Sequence, residues 1–260
     1  MNTITKLSEK INQAQALDFG TIFSESIELF KKTILQGFLM QVFILIIMIP
    51  LIIVFYVPFF GLIIAQQETG YNDTELFDNF FASMSVLYIL IVIVGVFVLS
   101  AISLALNAGF YRIMKKLDYN EQVTTSDFFY FFKGKYLIKT FLLMVVTIII
   151  AIPAALLCYI PLIYAIVPLS YFVLIFAFNP ELSVGDIVNV SFKLGNKKWL
   201  LSFGLFVVAY LCVIVLTLVT CGLGSLFLSP FMYHPMYLIY KNVVGFNENN
   251  VIENFEKHVE

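Results

Sequence analysis

The chain predicts an all-α polytopic membrane bundle of about six transmembrane helices with three amphipathic interfacial helices. Three observations carry this. Of 260 residues, 61% are hydrophobic and only 12% charged, whereas a soluble domain has about 45–50% and about 25%. Four long stretches contain no Asp, Glu, Lys or Arg: 33–67, 79–111, 140–180 and 199–240. The short alternating segments of a β-barrel are missing from the sequence. Twenty-eight Phe and fourteen Tyr exclude a disordered chain. A net charge of −2 gives no basic surface for nucleic acid.

Residues 1–17 are polar and lack the apolar core of a cleavable signal peptide, so the first span is expected to act as its own signal. A single domain, 18–241, comes next, and 242–260 forms a polar tail. About 20 helical residues cross a hydrocarbon core of about 30 Å. The first two charge-free runs therefore hold one span each. The last two are about twice too long, and each breaks near its middle, at Pro153 with Pro161 and at Gly222 with Gly224. Six helices result, near 34–57, 84–108, 137–157, 161–179, 199–220 and 224–241. A re-entrant hairpin would satisfy the same breaks, although the length of each half favours full crossings.

All fifteen basic residues fall on one side of this threading, while the loop at 67–81 carries Glu68, Asp73, Glu75 and Asp78. Basic residues are retained in the cytosol, which puts both termini there. Lys31, Lys32, Lys133, Lys135, Lys197 and Lys198 are then placed to meet anionic headgroups, worth about 1 kcal/mol per residue near the surface. Binding of one specific lipid is a narrower alternative.

Each lysine group comes after a short amphipathic stretch: Phe19, Phe23, Ile27 and Phe30; then 124–132 with its five consecutive aromatics; then Ile187, Val190 and Leu194. Thr124 with Asp127, and Ser183 with Asp186, have the spacing of an N-cap and an acid three residues on. Pro50 lies eighteen residues after Lys32, and Pro153 eighteen after Lys135. The pattern suggests three repeats, 18–111, 123–179 and 182–240, against a background in which membrane segments often match by chance.

No ionisable acid or strong base lies inside the spans, which disfavours coupled transport and charged-ring conduction. Cys158, Cys212 and Cys221 lack metal spacing, and only His234 and His258 supply imidazoles. No cofactor and no catalytic constellation are expected; a surface enzyme would have His234 alone as a base. Ser100, Ser103 and Asn107 share a helix face suited to close packing. Alternatively Gln36, Gln41, Asn107 and His234 all belong to cytosolic helix halves and could line one neutral vestibule, with Gln41, Asn107 and His234 as its binding residues. A neutral histidine before Pro235 is also suited to a backbone carbonyl freed by the proline.

The residues Asn179-Pro180-Glu181-Leu182, Ser191 through Trp199, Gly222-Leu223-Gly224 and Ser229-Pro230-Phe231-Met232-Tyr233 resemble a loose group of uncharacterised six-span bacterial integral membrane proteins. That group is itself similar to the membrane half of certain glycerophosphodiester phosphodiesterases. The resemblance implies a bacterial inner-membrane bundle. It transfers no catalytic residue, because no stretch outside the spans could hold the soluble barrel. The expected role is non-catalytic, organising membrane lipids or partner proteins; the alternative is facilitated movement of an uncharged solute or lipid.

Overall fold

A computed structural model describes residues 3–69, 86–157 and 159–246. The acidic loop residues Asp73, Glu75 and Asp78, Cys158, and the tail from 247 with His258 lie outside the described residues. Among those described, the chain is helical throughout, and five helices are long and apolar enough to cross a membrane. It is a multi-pass membrane protein by that measure.

Helix α1 (Ile4–Asn12) is capped by Thr3, whose side chain accepts from the Lys6 amide. Leu7 and Ile11, one turn apart, are its buried residues. The sequence alone shows only a polar segment here, because the three aliphatic positions Ile4, Leu7 and Ile11 are too few to stand out. Helix α2 (Phe19–Thr69) is continuous over 51 residues. Asp18 caps it by accepting the Thr21 amide at 2.8 Å. The expected interfacial helix and first span are therefore one rod. It is about 75 Å long at 1.5 Å per residue, well beyond one bilayer crossing. Helix α3 (Val86–Asp118) returns antiparallel to it, with Leu51 beside Gly95 and Gly37 beside Phe110.

The second amphipathic stretch is a 3-10 turn, Thr125–Phe129, and not a helix lying in the interface. The Thr124–Asp127 capping box forms, but Phe128 presses its backbone onto Gly109 of α3 and is buried there. Lys116 donates to Asp127 at 2.6 Å. Burial raises the Asp127 carboxyl, but the Lys116 ammonium and the Thr124 amide and hydroxyl outweigh it, so its pKa falls below the usual 3.8. Its stabilisation is thus present above the ordinary value and lost as pH falls through the lower folded value. Asp127→Asn should remove that part of the acid dependence, read as a flatter plot of unfolding midpoint against pH below about 5.

Helices α4 (Gly134–Leu156) and α5 (Ile160–Phe178) form the next hairpin. Half of the apolar window of α5 is buried, against 6, 17, 22 and 17% for α2, α3, α4 and α7 (Trp199–Val219), so α5 is the central rod and the others face outward. Helix α6 (Val184–Lys197), the third amphipathic stretch, folds back along α5. Its Gly195 abuts Pro168, and Asn196 accepts from the Tyr164 hydroxyl. The stripe Ile187, Val190 and Leu194 is buried in protein, and not in the lipid interface as the sequence suggested. Asn189, Lys193, Asn196 and Lys197 form its exposed polar face. The three amphipathic stretches thus differ: the first is the start of the long helix α2, the second a 3-10 turn and the third a separate α-helix.

The sixth predicted helix is broken: α8 (Ser225–Leu228), a 3-10 turn (Ser229–Met232), then α9 (Tyr233–Val243). Nearly all of α9 is buried, from His234 to Tyr240. It packs chiefly against α2, α5 and α7, and its buried side chains belong to one core with Leu7, Ile11, Ile113, Met114, Ile175 and Leu194. The core therefore sits at the lysine-bearing end, and the far ends of the hairpins carry exposed apolar side chains.

Candidate functional site

The buried polar groups converge on α9. The His234 ring is fully enclosed, with Phe30 and Phe110 edge-on and Phe231 stacked at 5.9 Å. Its Nδ1 faces the carbonyls of Pro230 at 3.0 Å and Phe231 at 3.3 Å, so this nitrogen carries the proton. Nε2 is then an acceptor, filled by the Thr33 hydroxyl at 2.6 Å. The backbone carbonyl at a proline break is indeed the histidine's partner.

Asn107 is half-buried, and its Oδ1 accepts from the Tyr233 hydroxyl at 3.3 Å. Tyr237 and Lys241 both donate to the Asp118 carboxylate, at 2.9 and 2.6 Å. Asn179 donates to the Tyr240 hydroxyl at 2.9 Å, and Tyr171 pairs with Ser202 at 2.7 Å. Positions 233, 237 and 240 lie along one helix face, so α9 is tied successively to α3 and α5. Of the three candidate binding residues, Asn107 and His234 meet through the adjoining Tyr233–His234 pair. Gln41 is half-buried elsewhere on α2, and among the described residues no hydrogen bond joins it to either. Gln36, on the same helix nearer Thr33, has a buried Oε1 without a partner among the described residues.

A threonine hydroxyl on a neutral imidazole is the start of a nucleophile–base pair. Both residues are completely buried here, however, and a substrate atom has no approach to the Thr33 oxygen. The arrangement holds helices together. Among the described residues no group of three His, Cys, Asp or Glu side chains comes within reach of one metal ion.

Most lysines at this end also hold protein groups. Lys31 pairs with Glu28, Lys135 with Glu181, and Lys198 donates to the Gln15 carbonyl. The Lys135 ammonium holds the Glu181 carboxyl below its usual range. Lys133 lies 5.8 Å from the Tyr130 ring centroid, while Lys32 and Lys197 are exposed. Lys10 reaches the Val244 carbonyl at 2.7 Å and Lys193 the Ser8 hydroxyl at 3.0 Å, docking α1. Sequence reasoning missed the Asp118–Tyr237–Lys241 group. No spacing in the sequence marks it, because Asp118 and the α9 residues meet only through tertiary packing.

A different surface lies farther along α2 and α3. Pro50, Leu51, Val54, Leu90, Ile91, Val94, Gly95, Val98 and Leu99 line a groove of about 530 Å³. Its side chains are all apolar, and neighbours such as Ile46, Ile53 and Ile89 are exposed. Such a groove can take hydrocarbon and offers no hydrogen bond to fix a polar solute. No known protein family, characterised protein or solved structure matches the chain.

Proposed function

We propose that the chain is a non-catalytic, multi-pass protein of a bacterial inner membrane, with both termini in the cytosol, that organises lipids or partner proteins around it. One observation carries the reading: most of the polar groups around α9 pair with one another, while the groove between α2 and α3 and the far ends of the hairpins are apolar. The groove between α2 and α3 takes a lipid acyl chain in this reading, and exposed Lys32 and Lys197 meet anionic headgroups. The resemblance to six-span bacterial membrane proteins supports the location, and the one-sided lysines support the orientation.

Protein reconstituted in liposomes should neither turn over phospholipid nor carry neutral solutes above the rate of empty vesicles. A saturable rate with either would overturn the proposal. The unpartnered Gln36 carbonyl favours a second reading, facilitated movement of an uncharged solute past α2. Loss of flux in Gln41→Leu, Asn107→Ala and His234→Ala, with folded protein retained, would support it. Flux unchanged in all three would end it.

A further inference from the structure

We propose that Arg112, laid on the ring of Tyr130 and joined by Lys133, binds the phosphate of an anionic phospholipid headgroup. The inference rests on the reading that the lysine-bearing end of the bundle lies at a membrane surface.

The first support is an arginine without an acceptor. The Arg112 guanidinium carbon lies 3.8 Å from the centre of the Tyr130 ring and 5.9 Å from that of Phe131. Arg112 is half-buried, yet among the described residues it makes no hydrogen bond and no ion pair. Its N–H donors lie in one plane, and a ring against the face of that plane leaves the donor edges free. The acids on the adjoining segments are engaged elsewhere, Asp127 by Lys116 at 2.6 Å and Glu181 by Lys135 at 2.7 Å. A guanidinium held this way has given up part of its hydration and is already oriented, and a phosphate offers it the bidentate partner it lacks.

Lys133 supplies a second charge. Its ammonium lies 5.8 Å from the same Tyr130 centroid, so it stands at most 9.6 Å from the Arg112 carbon. It is exposed, has no carboxylate partner among the described residues, and has a flexible stem that can close on an anion held by the arginine. The first turn of α4, which follows it, carries no acid.

The second support is the place. Phe131 is fully buried, 4.8 Å from the ring of Phe176 on α5, which anchors the segment that carries Tyr130 between α3 and α4. Exposed apolar surface begins just beyond: Ile138, Phe141 and Leu142 share one face of α4 and are all exposed. Ile138 is five residues from Lys133, about 7.5 Å along the helix. A phosphate on Arg112 thus sits at headgroup level, and its acyl chains run down that face. A soluble phosphate would leave the apolar face unused, which favours the lipid as the source.

The test is a titration of the purified full-length protein in a maltoside detergent with dioctanoyl phosphatidylglycerol, read by the thermal unfolding midpoint. The midpoint should rise saturably, and the apparent affinity should fall about tenfold or more in Arg112→Gln. Arg112→Lys keeps the charge but loses the planar fork, so its affinity should also fall, and Tyr130→Leu should weaken binding by removing the platform. Lys6→Gln, which removes an exposed cation on α1, should match the unmodified protein. No rise in the unmodified protein overturns the proposal, as does an unchanged affinity in Arg112→Gln, or in Arg112→Lys if the glutamine variant does not fold. Dioctanoyl phosphatidylcholine, whose choline offsets the phosphate charge, should bind more weakly, and equal affinity for the two lipids overturns the anionic assignment. Inorganic phosphate should not compete; its abolishing the lipid response would overturn the lipid assignment in favour of a soluble phosphate. The titration in detergent is independent of orientation and of turnover. A tag at Asn120 on the far face of vesicles, or a saturable rate in liposomes, would remove the proposed function and leave this site standing.

Discussion

Gly109→Ala is expected to cost several kcal/mol and to collapse the yield of folded protein. A β-carbon there would stand 2.4 Å from the Phe128 carbonyl oxygen and 3.0 Å from its carbon. The obstacle is backbone, so no side-chain rotation relieves it, and overpacking of this kind costs about 1–3 kcal/mol or more. The consequences spread, because Phe128 is buried against α3 and its turn carries Asp127 to Lys116. Gly61→Ala is the matched control. It lies in α2 with nothing within 4 Å of the added carbon, and alanine gains up to about 1 kcal/mol of helix propensity over glycine. Thermal unfolding in detergent should therefore shift in opposite directions for the two variants. Equal midpoints would mean that the 125–129 turn does not seat on α3.

Where the sequence was legible, a single physical variable dominated. Absence of charge located α2, α3 and the two hairpins, because a charge inside hydrocarbon is costly wherever its neighbours lie. Local hydrogen bonding likewise made the caps at Thr124 and Ser183 readable, and both form. The element that a cap opens is decided by distant residues. The box at Thr124 opens only a 3-10 turn, since Gly109, remote in sequence, provides the notch that draws Phe128 aside. Apolar composition also fails to separate lipid from protein as a surrounding medium. Residues 233–243 look like part of a span, yet they form a helix buried chiefly against α2, α5 and α7. The stripe on α6 was equally visible, but its covering by α5 depended on Gly195 meeting Pro168. At the candidate site, the carbonyl partner of His234 was readable because Pro235 marks a local break. Thr33, Asp118 and Asn179 reach α9 only through tertiary packing, which no spacing in the sequence encodes.

Asp118→Ala should be the most damaging change among the charged residues, at about 2–4 kcal/mol. One carboxylate receives both the Tyr237 hydroxyl and the Lys241 ammonium, and its side chain is only 16% exposed. Hydrogen bonds to charged groups contribute about 1.5–3 kcal/mol, and removing one member leaves the others desolvated without a partner. The 32% exposure of Lys241 moderates the loss, since water can still reach the ammonium. Glu28→Gln provides the contrast. Its pair with Lys31 is at least 64% exposed on both sides, and such pairs contribute about 0–1 kcal/mol. Lys241→Met in the Asp118→Ala background should then restore part of the lost stability, because it removes the cation that the first change stranded. A double-mutant cycle read by unfolding in detergent checks this. Additive costs would show that the two residues do not share an interaction.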